Sequence, residues 1–148
     1  MKRGAGAISA SVLWIFSSMA LAGSSSAEAL DKLALSILQN LEVNSFDNSL
    51  RPAHYPKGTT LDQTPYRIYE RASGSPGAYL ARDTEGSWLY GVTVLVVSDD
   101  STTVCFVDQN LQGSYLAASH LQVRRNQSGH YVVINTLPAS PACTVSKG

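Results

Sequence analysis

The sequence predicts an α+β protein in which one N-terminal helix packs on a curved antiparallel sheet of about five to seven strands. Three observations predict it. Leucine-rich residues recur at helical spacing over 28–42, strand-like runs separated by short polar turns fill the chain after Pro65, and the first residues read as an export leader with two cysteines downstream. A small β-barrel with a capping helix is the alternative that the same pattern allows.

The leader comes first. Lys2 and Arg3 are the only charges before Glu28, Val12-Leu13-Trp14-Ile15-Phe16 is the apolar middle, and Ala20-Leu21-Ala22 and Ser25-Ser26-Ala27 each offer a small-x-small exit. Ser17, Ser18 and the Gly/Ser tail cut the run short of the ~20 apolar residues that a membrane span needs. Cleavage after Ala22 is preferred, because Ser25 and Glu28 could then cap the following helix. Cleavage after Ala27 would leave 121 residues with a formal charge of −2. The expected organisation is a leader over 1–22 and one domain over 23–148, periplasmic or extracellular, with no stable membrane anchor after processing.

In the helix, Leu30, Leu33, Ala34, Ile37, Leu38 and Leu41 fall on one face, and Asp31, Lys32, Gln39 and Asn40 lie largely off it. The stripe lacks the basic flank of a membrane-surface helix and needs an apolar partner. Residues 46–65 carry Pro52, Pro56, Gly58 and Pro65 and no regular pattern. About twenty such residues are uncommon inside a domain, so this loop is either functional or hides a short helical turn near Ser49-Leu50.

Strands are expected over 66–71, 78–83, 88–97, 102–108, 114–125 (one long or two short) and 130–136. The turns between them, such as Gly74-Ser75-Pro76-Gly77 and Asn126-Gln127-Ser128-Gly129, are too short for parallel crossovers, so the strands pair as hairpins. Val92–Val97 is apolar on both faces, as in a central strand. Cys105 and Cys143 are expected to form a disulfide, on their even number and the oxidising compartment that export implies, and so to pin the Pro-rich tail.

The chain carries eleven basic and eleven acidic residues and only 15% charged residues overall, against about 25% in ordinary soluble proteins. That balance argues against nucleic acid as a partner, since a basic surface is the electrostatic signature of such binding. There is no nucleophile elbow, zinc-protease helix, phosphate-binding loop or dinucleotide fingerprint, and no cofactor or metal is expected. His54, His120 and His130 read as surface histidines.

Two features point to binding. The 46–65 loop combines Arg51, His54 and Tyr55 with proline stiffening, and the first strand places Tyr69 beside Arg71, in residue types enriched at interface hot spots. The candidate binding residues are therefore Arg51, His54, Tyr55, Tyr69 and Arg71. The function these observations favour is a small exported binding protein, inhibitor- or immunity-like, whose partner is a protein of the same extracytoplasmic compartment. The alternatives are an exported hydrolase without a local signature and an envelope accessory domain.

Overall fold

The leucine stripe forms α1, Ala22–Asn40. The computed structural model describes residues 22–145, so the predicted leader lies almost wholly outside the described residues. Ser25 and Glu28 both lie within α1, and Glu28 pairs with Lys32 one turn on, at 2.7 Å. The helix ends two residues earlier than its periodicity implies. Leu41 and Glu42 are drawn into sheet-type bonds, with the Glu42 amide donating to Tyr131 O at 2.8 Å and the Leu61 amide to Leu41 O at 3.0 Å.

Six strands follow: β1 Tyr66–Arg71, β2 Ala78–Asp83, β3 Trp88–Val97, β4 Thr102–Asn110, β5 Leu116–Arg125 and β6 Tyr131–Thr136. They lie in sequence order, every neighbouring pair antiparallel. β1 and β6 are opposite edges, so the sheet is open and the barrel alternative is excluded. The span over 114–125 is one long strand. Register shifts leave Arg67 in β1, Leu95 in β3 and Ile134 in β6 without an opposite residue, and such bulges bend a strand and increase its twist.

Alternation along these strands sorts the residues by face. Ile37 and Leu38 from α1 and Leu41 just after it meet Tyr90, Val92, Val104, Phe106, Leu121 and Val123 in one buried cluster on the helix side. Phe46 packs edge-on against Phe106 with ring centroids 4.8 Å apart, and Tyr66 stacks on Tyr90 at 4.4 Å. Gly77 lets the β1–β2 turn rest on the helix: its φ is +76°, and a Cβ there would come within 3.3 Å of Leu30 Cβ.

The tail covers part of the other face. The Leu137 amide donates to His120 O at 2.7 Å, the His120 ring nitrogen Nδ1 lies 2.8 Å from Pro138 O, and Cys143 forms the expected disulfide with Cys105. The fold is thus helix, sheet and disulfide-pinned tail.

The 46–65 segment is ordered by two short 3-10 turns, Arg51–Ala53 and Leu61–Gln63, the first just beyond the expected position. Asn44 Nδ2 donates to Tyr55 O at 2.7 Å and to Pro56 O at 2.8 Å, and Leu61 is buried, so the middle and the later part of the segment are fastened to the body.

Candidate interaction surface

The first of the two turns in this segment is held to the sheet by a polar cluster. The Ser49 amide donates to Asp108 Oδ2 and the Ser49 hydroxyl to Asp108 Oδ1, both at 2.8 Å. With that hydroxyl proton committed to Asp108, the Tyr90 hydroxyl donates to Ser49 Oγ at 2.5 Å. Burial pushes the pKa of Asp108 up, against the opposing pull of the Ser49 amide and hydroxyl. Burial also raises the pKa values of Tyr66 and Tyr90, which keeps both phenols neutral.

Ser49 in turn places Leu50 and Tyr55 over the end of the sheet. A surface cleft of about 230 Å³ opens there, lined by Leu50, Tyr55, Pro65 and Tyr66 on one side and Asp83, Thr84 and Glu85 on the other. Burial works against ionisation of Asp83, but the Ser87 hydroxyl and the amides of Trp88, Ser87 and Gly86 outweigh it and hold its pKa below the usual carboxylate value. Asp83 Oδ1 accepts the Ser87 amide at 2.7 Å and the Trp88 amide at 3.1 Å, which fixes the β2–β3 turn that carries Glu85.

The candidate binding residues separate in space. Tyr55 lines the cleft. Arg51 and His54 lie in the exposed turn just before it, His54 in the left-handed conformation with φ +52°. Arg51 is ion-paired with Asp47, four residues earlier. Tyr69 packs against the core, its hydroxyl buried and without a hydrogen-bond partner among the described residues, and burial pushes its pKa up to about 12. Arg71 Nε lies 2.8 Å from Asp31 Oδ2, while Asp31 Oδ1 accepts the Gly77 amide at 2.6 Å. Arg71 therefore fastens β1 to α1.

The sequence reading did not single out Tyr66, Asp83 or Glu85. Tyr66 heads the first strand, and the Arg67 bulge puts it on the same face as Tyr69, which simple alternation would not. Among the described residues no three His, Cys, Asp or Glu side chains gather as a metal-binding group, and no helix is long and apolar enough to cross a membrane.

The fold and this surface define a small α+β protein braced by one disulfide, with an aromatic cleft at one end of its sheet. The family model of the pesticin immunity protein, Pim, matches residues 13–105, more than half of the chain, and the chain belongs to that family. It is thus an immunity-type protein that acts by binding a protein partner. The matched span runs through α1, the cleft-forming segment and β1–β3 and ends at Cys105 within β4. No curated protein and no solved structure matches the chain.

Proposed function

We propose that the protein is an exported immunity protein that binds a pesticin-like toxin one to one, in the compartment outside the cytoplasmic membrane, and blocks it. The observation that carries this reading is the family match over residues 13–105. Two further features support export: the leader pattern of residues 1–22, followed by a single domain over 23–148, and the Cys105–Cys143 disulfide, a bond that persists in oxidising compartments.

In this reading the exposed turn with Arg51 and His54 and the neighbouring Tyr55 form the contact region. Tyr69 and Arg71 act from behind it, by setting the position of β1 against the core and the helix. The test is a calorimetric titration of the purified, oxidised protein into pesticin, paired with an assay of toxin activity. Stoichiometric binding with matching loss of activity is the expected result. Undiminished toxin activity in the presence of excess protein would refute the reading.

A further inference from the structure

The cleft has features that a merely structural crevice does not need. Its volume of about 230 Å³ falls below the ~300–1,000 Å³ of small-molecule sites, which suits a single side chain presented by a larger partner. One wall is aromatic and apolar, with Tyr55, Tyr66, Leu50 and Pro65. The other carries two carboxylates in different states of engagement. Asp83 is occupied by the turn it fixes, whereas Glu85 is exposed and makes no ion pair among the described residues. Of the neighbouring cations, Arg51 is paired with Asp47 and Arg67 Nε donates to Thr64 O at 3.2 Å.

An aromatic patch lies at the same end of the sheet. The Trp88 amide bonds to Asp83, the Trp88 ring lies 5.7 Å from that of Tyr115, and the Leu111 amide donates to Ser87 O at 2.8 Å. Tyr115 is 46% exposed and Leu111 37%. Tryptophan and tyrosine are enriched at interface hot spots, and here a pair of them stands at the end of the sheet where the acidic-walled cleft opens.

We infer that this end of the sheet is the docking surface for the toxin, and that the cleft receives an arginine or lysine side chain of the toxin, its stem against Leu50 and Pro65 and its cationic head between the Tyr55 and Tyr66 rings and Glu85. The chemistry is complementary at each point. Aromatic faces attract cations, long basic side chains bury their methylenes while keeping the head polar, and a free carboxylate supplies the counter-charge. The inference rests on the immunity reading above and specifies the recognition chemistry at that surface.

Two experiments keep the two readings separable. Calorimetry with pesticin compares the native protein with Glu85→Lys, Tyr55→Ala and the control Glu28→Lys on the far helix, each variant first shown to melt like the native protein. A loss of affinity of at least tenfold in Glu85→Lys and Tyr55→Ala, with Glu28→Lys unchanged, supports the inference. Native affinity in both cleft variants overturns it while leaving the immunity reading intact. Separately, N-acetyl-arginine amide is titrated into the isotope-labelled protein, with the uncharged citrulline analogue as comparison. Saturable shifts at Tyr55, Thr84 and Glu85 with the arginine probe alone support a cation-accepting cleft even if pesticin fails to bind. The same response to both probes, or none to either, overturns it.

Discussion

Asp108 in β4 takes both an amide and a hydroxyl hydrogen bond from Ser49, fifty-nine residues earlier, each at 2.8 Å. This pair ties an otherwise irregular segment to the centre of the sheet and so sets where Leu50 and Tyr55 stand at the cleft. Asp108→Ala leaves two donors of Ser49 without an acceptor, and the expected cost is about 1–3 kcal/mol in denaturant unfolding. Amide exchange should quicken over residues 48–55 and leave β5 and β6 unaffected. The pH dependence has a defined sign. Because burial raises the pKa of Asp108, the native state favours its protonated form, and stability relative to Asp108→Asn is greatest below the ordinary carboxylate range and declines as pH rises through the raised value.

Tyr69 presents the opposite situation, a buried hydroxyl with nothing to bond to among the described residues. Tyr69→Phe removes that unsatisfied group, and a gain of about 1 kcal/mol is expected. The phenol has an ordinary pKa of 10.0 and one of about 12 in the native state. Both states are neutral below pH 10, so the native protein loses stability relative to Tyr69→Phe as pH rises from 10 to 12 and the unfolded chain ionises first. Melting curves across that range, for both proteins, measure it.

Much of this architecture was legible in the sequence because its causes are local. Two-residue alternation and Gly/Asn-rich turns lie within a few residues of each strand they define, and the leucine stripe of α1 reads directly as a face. What escaped has causes distant in sequence. Arg71 looked free because its partner, Asp31, lies forty residues away on the helix, and Asp108 gives no local sign that it will seek Ser49. The Arg51–Asp47 pair also escaped, because its spacing of four signals a contact only on a helix and 47–51 is an irregular turn. The cleft needed the Arg67 bulge, since only that extra residue turns Tyr66 toward the helix side, and no motif announces a bulge.

The contrast between Asp31 and Arg71 gives a further prediction. Asp31 serves both Arg71 and the Gly77 amide and is largely buried, whereas Arg71 is half exposed. Asp31→Ala should cost about 1–3 kcal/mol. Arg71→Ala should cost under ~1 kcal/mol, the usual worth of an exposed pair. Thermal unfolding of the two variants, side by side, checks the order.

The disulfide closes a loop of 38 residues, and β5, β6 and the tail lie within it. On the chain-entropy account its removal costs about 4 kcal/mol, less any strain released. Cys105→Ser/Cys143→Ser should therefore unfold at markedly lower denaturant and release the tail, seen as faster exchange after Thr136. Reduction of the native protein should shift the midpoint in the same direction.

The central claim is that this protein acts by occupying a protein toxin through the cleft end of its sheet. It is tested most directly by titrating the oxidised protein and its Glu85→Lys variant into pesticin by calorimetry. The account predicts a one-to-one complex for the native protein, with affinity at least tenfold weaker for the variant. No heat of binding from the native protein, or equal affinity from both, would contradict it.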